Sequence, residues 1–345
     1  MNARAQKLVE KLDEPLIVTT PANIRYLTGF VSSNVALVVD PERVRLFTDF
    51  RYAGAARQVP DVEFVETPRD VLTYLTGDLS GTFGFESADL TYRDFERLRD
   101  AGLELVPRVG LVESLRAVKD EDELEKIRRA AAITNEAYAR IAEERFVGRK
   151  ERDLAWQIFE IFHELGAEEE AFDTIVAAGS NGARPHANSG DRVIEKGTTI
   201  VVDAGAVLDG YCSDCTRTFA TGELPDELQR AYGVCLEAQL KGLGAARAGT
   251  DAKDADAAAR DVITEAGFGD KFGHGLGHGV GIDVHEAPHV AQTSTDTLVE
   301  NNVLTIEPGI YLEGTGGIRI EDLVIITDGE PEVLTNFPKE LVTVS

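Results

Sequence analysis

The chain has 345 residues, long enough for two domains and a substantial core. With 61 acidic residues against 35 basic ones its net charge is −26, which repels phosphate backbones and anionic lipid alike, so neither nucleic acid nor a membrane surface is an expected partner. The acids are spread over helix patterns instead of packed into one tail, and arginine outnumbers lysine, a balance that fits a salt-adapted or a GC-rich host.

The stretch Met1 to Pro15 is polar and amphipathic, with no apolar signal core, and no later segment has the uninterrupted apolar length needed to span a bilayer. A cytoplasmic enzyme is expected. From Leu16 to about Arg116 short apolar runs alternate with helical patterns. Strands are predicted at Leu16 to Thr19, Val35 to Val39, Val44 to Thr48, Val62 to Val65, Thr82 to Phe85 and Leu103 to Val106, and helices at Arg51 to Gln58, Asp70 to Leu75 and Tyr92 to Ala101. This α/β region holds no histidine, no cysteine and no acids at ligand spacing, which assigns it a supporting role.

A domain boundary is placed before Ala117, giving an N-terminal domain of residues 1–116 and a second domain of residues 117–345. The run Lys119 to Glu123 opens a helix to about Arg145, its acids complementing the positive end of the helix dipole, and a second helix follows from Glu151 to Leu165. Strands are then predicted at Phe172 to Ala178, Thr199 to Val207 and Tyr211 to Ala220. Helices at Asp226 to Ala246 and Ala252 to Ala266 come next, then strands at Val303 to Leu312 and Ile318 to Thr327. Two helices followed by a hairpin, twice over, predict an α+β domain with pseudo-two-fold symmetry.

Between the last helix and the last hairpin lies Phe272 to Glu286, FGHGLGHGVGIDVHE, which carries His274, His278 and His285. Imidazole is the commonest side-chain metal ligand and a proton carrier near neutral pH. The alternating glycines are expected to open the backbone to a ligand. No frame of the run gives G-x-G-x-x-G and no Gly-Lys-Ser/Thr follows, so a phosphate loop is set aside. His289 and the helical His163 are ordinary loop and surface or packing residues on this reading. Cys212, Cys215 and Cys235 are odd in number, which argues against a disulfide framework, and the C-x-x-C pair sits in a strand pattern, away from any helix start that would acidify a thiol.

Each predicted hairpin carries one acid per strand. Asp203 and Asp214 flank an Asp209-Gly210 turn, and Glu307 and Glu321 flank a Gly-rich turn at Gly314 to Gly317. Carboxylates in apolar strands are expected to be buried, at a cost that needs compensation. Arginine is one source, with Arg217 and Arg319 near in sequence, and Asp322, on the opposite strand face from Glu321, is the acid expected to pair that way. For the other four, oxygen ligands with an imidazole suit two divalent ions, Mn²⁺ first, with Co²⁺ or Zn²⁺ as alternatives.

These residues resemble the pita-bread metallopeptidases, in particular the branch of Xaa-Pro dipeptidases (prolidases) and Xaa-Pro aminopeptidases. The likeness covers nearly the whole chain. It rests on Asn23 to Phe30, Leu115 to Lys119, Asp203 through Asp214 to Arg217, His274 to Glu286, Glu307 to Tyr311, and Arg319 to Asp322. The resemblance implies that Asp203 holds one metal, that Asp214 and Glu321 bridge two, and that His278 and Glu307 complete the second, with Glu307 also taking the proton of the attacking water. It further implies that His186, in a Gly/Asn/Ser/Pro-rich loop from Gly179 to Gly190, binds substrate with His274 and His285, steadies the oxyanion and protonates the leaving nitrogen, supported by Arg319. Tyr211 either lines the pocket or packs.

The expected activity is hydrolysis of the bond before proline at the N-terminus of short peptides, with a lean to the aminopeptidase because the N-terminal domain is short, and the dipeptidase as the alternative. Metal-free amidinohydrolases and non-catalytic binding modules share the fold but lack the full set of ligands. A homodimer is what the resemblance implies.

Overall fold

The computed structural model describes all residues from Met1 to Ser345. Two compact units emerge from the packing, Met1–Arg116 and Ala117–Ser345. The first is built on six strands, β1 (Leu16–Val18), β2 (Val35–Val39), β3 (Val44–Asp49), β4 (Glu63–Thr67), β5 (Thr82–Glu86) and β6 (Glu104–Arg108). They form one mixed sheet in the order β4-β3-β2-β1-β5-β6, with β1–β2 and β2–β3 antiparallel and the remaining pairs parallel. Six helices accompany them: α1 (Ala3–Val9), α2 (Pro21–Thr28), α3 (Ala53–Ala56), α4 (Val71–Asp78), α5 (Tyr92–Asp100) and α6 (Glu113–Arg116). Apolar alternation located the strands to within a residue or two. It did not locate α2, whose start is fixed by tertiary contacts: buried Glu86 accepts the main-chain N–H of Thr19 at 2.7 Å and of Thr20 at 2.8 Å, where Pro21 has none to offer.

The second unit opens with α7 (Glu121–Ala142), started by a capping box in which Asp120 and Glu123 exchange side-chain to main-chain bonds, and α8 (Glu151–Glu164). Helices α9 (Asp226–Ala245) and α10 (Ala252–Glu265) occupy the equivalent place before the second hairpin. The first half contributes β7 (Glu169–Glu170), β8 (Ile175–Ala178), β9 (Thr199–Asp203), β10 (Ala206–Leu208), β11 (Tyr211–Cys212) and β12 (Thr216–Ala220). The second half contributes β13 (Gly277–Gly279), β14 (Glu286–Val290), β15 (Val303–Ile306), β16 (Gly309–Leu312), β17 (Gly316–Arg319), β18 (Asp322–Ile325) and β19 (Glu332–Val333). One apolar cluster joins α7 and α8 to β8, β9 and β12, and another joins α9 and α10 to the strands of the second hairpin.

Where the sequence predicts four long strands, each is broken in two, and the candidate acids sit at or beside the breaks. β9 gives way to β10 just after Asp203, β11 to β12 at Asp214, β15 to β16 at Glu307-Pro308, and β17 to β18 at Glu321. Each break is a change of sheet: β12, β9 and β8 form one sheet in that order and β11, β10 and β7 another, while β15 pairs with β13 and β18, β18 also pairs with β19, and β16 and β17 form their own ribbon. Pro308 has no N–H to continue a ladder. At Gly205 a Cβ would overlap the carbonyl of Ser213, so the crossing strands come closer than a side chain allows. The Asp209-Gly210 turn forms as expected, both residues at positive φ (50° and 71°).

Candidate active site

All the residues singled out as ligands or substrate contacts line one cavity of about 770 Å³ in the second unit. Carboxylate or imidazole atoms of Asp214, His278 and Glu321 lie within 4.8 Å of one another. Nε2 of His278 is 3.6 Å from Asp214 Oδ2 and 3.3 Å from Glu307 Oε1. Asp203 stands outside that triad, with Oδ2 accepting Arg319 Nη2 at 2.6 Å, while its Oδ1 is buried with no hydrogen-bond partner. The arginine alternative weighed for the acids thus applies to one oxygen of Asp203. It applies fully to Asp322, which takes Arg217 Nη2 at 2.9 Å, Gln239 Nε2 at 2.8 Å and Lys339 Nζ at 2.6 Å, away from the cavity.

The electrostatics call for cations. Burial, and then the charges of Glu321, Asp203 and Glu307, push the Asp214 carboxyl well above its usual range. Burial, followed by Glu307 and Asp203, does the same to Glu321. Glu307 goes the other way: burial raises it, but the His278 hydrogen bond and the charges of His278, His274 and Arg319 outweigh that and bring it down to about 2. Burial opposes charge on His278, yet bonding to Glu307 and the charges of Glu307 and Glu321 lift it to about 9. Burial raises Asp203 as well, so three of the four carboxyls are disfavoured as anions, and divalent ions beside them would offset that cost. The donor set fits such ions on two further counts. The orphaned Asp203 Oδ1 faces no donor. The His278 Nδ1 lies 3.1 Å from Gly279 O, which can only accept, so in the neutral ring the lone pair is on Nε2, aimed at two carboxylates.

The alternating glycines serve packing as well as access: Gly275 and Gly277 line the cavity, as expected. None between Gly273 and Gly281 takes a positive φ. At Gly277 a Cβ would overlap the Thr305 carbonyl, and at Gly279 that of Ala287, so these positions let β13 nest against β15 and β14. The close approach is of main chain to main chain, and it presents the His278 side chain alone to the cavity.

The histidines around the centre stand on three different supports. His186 is exposed on the Gly179–Gly190 loop. Buried Glu151 ties both ends of that loop, accepting Ala178 N at 2.8 Å, Asn181 Nδ2 at 2.9 Å and Gly190 N at 3.1 Å, and Arg319 Nη1 holds the Pro185 carbonyl at 3.1 Å. His285 is exposed, its ring 4.4 Å from that of His278, beside Glu286, which accepts Asp283 N at 3.0 Å and Lys119 Nζ at 3.3 Å. His274 places Nε2 2.9 Å from the Tyr311 hydroxyl, and Tyr311 in turn accepts Arg319 Nη1 at 3.1 Å. Burial lowers both His274 and His285 below the usual imidazole range, with the His278 charge adding to the effect at His285.

Tyr211 packs: it is buried, its hydroxyl donates to Glu123 at 2.9 Å, and it does not line the cavity. His163 sits edge-on to Phe159 and His289 is exposed on β14; neither lines the cavity. Sequence reasoning left out Thr216, which donates to Glu321 Oε2 at 2.7 Å and accepts Arg319 Nε at 3.0 Å, and Thr305, which donates to Glu307 Oε1 at 3.2 Å. Each lies two residues from a candidate ligand, so strand alternation alone would have put it on the same face. The cysteines are free and buried, and burial pushes all three thiols up, which removes the redox reading.

Residues 125–328 match the model of metallopeptidase family M24, and residues 3–118 match the creatinase/prolidase N-terminal domain. An Xaa-Pro dipeptidase of Pyrococcus furiosus is 36% identical over 353 residues, covering 99% of this chain and 100% of that protein. Among solved structures, an Xaa-Pro dipeptidase from Bacillus anthracis superposes with a TM-score of 0.95 at 36% identity, covering 99% of both chains. An X-Pro aminopeptidase from Thermotoga maritima superposes with a TM-score of 0.89 at 35% identity, covering 99% of this chain and 100% of that one.

Proposed function

Because the chain belongs to metallopeptidase family M24 and carries the creatinase/prolidase N-terminal domain, we propose that it is an Xaa-Pro dipeptidase working with two divalent ions, Mn²⁺ first. The sequence lean to an aminopeptidase is withdrawn. It rested on the short N-terminal domain, but the Pyrococcus furiosus dipeptidase is matched over its full length and therefore has a domain of the same size. The observation that carries the reading is the single cavity in which four carboxylates and an imidazole converge with too few cations to neutralise them.

In this reading Asp203 would hold one ion and His278 and Glu307 the other, with Asp214 and Glu321 available to either. Divalent ions held there would supply polarisation of the scissile carbonyl and a water acidic enough to attack near neutral pH. Glu307, kept ionised by its neighbours and steadied by Thr305, takes the proton of the attacking water. A tertiary amide leaves poorly until its nitrogen is protonated, and His274, His285 and His186 surround the space where that proton is delivered. Arg319 supports them by bonding Tyr311, Pro185 and Asp203 at once. The helices include none long and apolar enough to cross a membrane. A homodimer is part of the proposal, read by light scattering.

Incubation with Mn²⁺ and either Ala-Pro or Ala-Pro-Ala tests the substrate. The account predicts cleavage of Ala-Pro alone. Release of alanine from the tripeptide would restore the aminopeptidase, and no cleavage of either would remove Xaa-Pro hydrolysis altogether.

A further inference from the structure

His274 and His278 belong to one run, but they are held in different ways. His278 rides on β13, whereas the chain from Phe272 to Leu276 follows no regular element. Its main chain is tied to α10. Arg260 Nη1 donates to the Phe272 carbonyl at 3.0 Å and Nη2 to the His274 carbonyl at 2.6 Å, and the guanidinium lies 4.1 Å from the centre of the Phe272 ring. Asp256, one helical turn earlier, receives Arg260 Nε at 2.7 Å and Nη2 at 2.8 Å, and its Oδ1 also takes the main-chain N–H of Leu276 at 3.0 Å.

From these contacts we infer that the Asp256–Arg260 pair positions His274 for the reaction, Arg260 being the positioning residue and Asp256 the group that aims it. The inference rests on the proposed role of His274 at the substrate. Most ion pairs one turn apart on a helix lie in solvent and do little. This one is withdrawn from solvent, Asp256 wholly and Arg260 with 13% of its side chain exposed. It spends its donors on the two carbonyls that bracket the turn at His274. Neither residue lines the cavity, so the pair touches neither substrate nor the candidate ligands. The planar fork matters: it reaches one carboxylate and two carbonyls together, which a lysine ammonium on its single stem cannot do. With that grip the imidazole keeps Nε2 on Tyr311; without it the main chain at His274 loses both of its carbonyl anchors.

Arg260→Lys keeps the charge opposite Asp256 and removes the fork. It is expected to lower kcat on Ala-Pro by about 10- to 100-fold, the scale of a displacement near 1 Å in a reacting group. In a His274→Ala background the same change should cost less than about twofold, because the residue it positions is gone. The imidazole resonances of His274 in histidine-labelled protein should shift in Arg260→Lys while those of His163 stay in place. An equal loss in both backgrounds, or unchanged turnover and an unchanged His274 resonance, would overturn the inference. If Arg260→Lys does not fold, the neutral pair Asp256→Asn/Arg260→Gln carries the same cycle. Absence of Xaa-Pro turnover in the unaltered protein would sink the proposed function instead, and the His274 resonance would still decide this one.

Discussion

Thr216 joins a carboxyl and a guanidinium at the centre of the site, donating a hydrogen bond to Glu321 and accepting one from Arg319. Thr216→Val keeps the shape of the side chain and removes both bonds, leaving a buried carboxylate and a buried guanidinium N–H each one partner short. Groups that orient a metal-binding carboxylate are typically worth about 10- to 100-fold in affinity or activity, so calorimetric titration of the variant with Mn²⁺ should show weakening on that scale. Unchanged affinity would mean that Glu321 does not need the hydroxyl to face the ions. At this scale the sequence was legible where chemistry and burial conflict: an acid inside an apolar strand has to be compensated, whatever the fold. Thr216 and Thr305 were within reach of strand alternation but were passed over; Arg260 was not legible, since an arginine one turn from an aspartate on a helix looks the same in core and in solvent.

Among elements, the Gly179–Gly190 loop shows best how secondary structure delivers a side chain to the cavity. Glu151 is the first residue of α8 and is fully buried, yet it has no cation; two main-chain N–H groups and the Asn181 amide satisfy it. Glu151→Ala would leave those donors unpaired, at about 1–3 kcal/mol each, and should lower the urea midpoint while raising KM for Ala-Pro through the loosened His186. Glu151→Gln can keep its oxygen on Asn181 and Gly190 and set its NH2 against the Ala178 N–H alone, and is expected to cost less than Glu151→Ala. A variant with an unmoved midpoint and KM would show that the loop is held from elsewhere, for instance by Arg319 at Pro185. Hydrophobic alternation recovered the strands of the two hairpins but joined them across the very residues that matter, because period-2 patterning continues through a change of sheet, and it missed β13 and β14 in the Gly-rich histidine run. The glycines of the histidine run were read only in part for a related reason: composition marks a close approach without saying that a neighbouring strand, as well as a ligand, approaches there.

For the whole molecule, the repeated plan of two helices and a hairpin made the fold class legible, and the family came from the resemblance carried by such runs as His274 to Glu286, Glu307 to Tyr311 and Arg319 to Asp322. The choice between dipeptides and longer peptides was not legible, since the length of a domain says nothing of what it excludes from a cavity. The account stands or falls on Asp203, Asp214, His278, Glu307 and Glu321 sharing a pair of ions. Anomalous diffraction at the manganese edge, on crystals grown with Mn²⁺, reads this without recourse to activity. The account predicts two peaks about 3.5–4 Å apart, both within coordinating distance of Asp214 and Glu321, one also beside Asp203 and the other beside His278 and Glu307. A single peak, or peaks that those side chains do not touch, would contradict it.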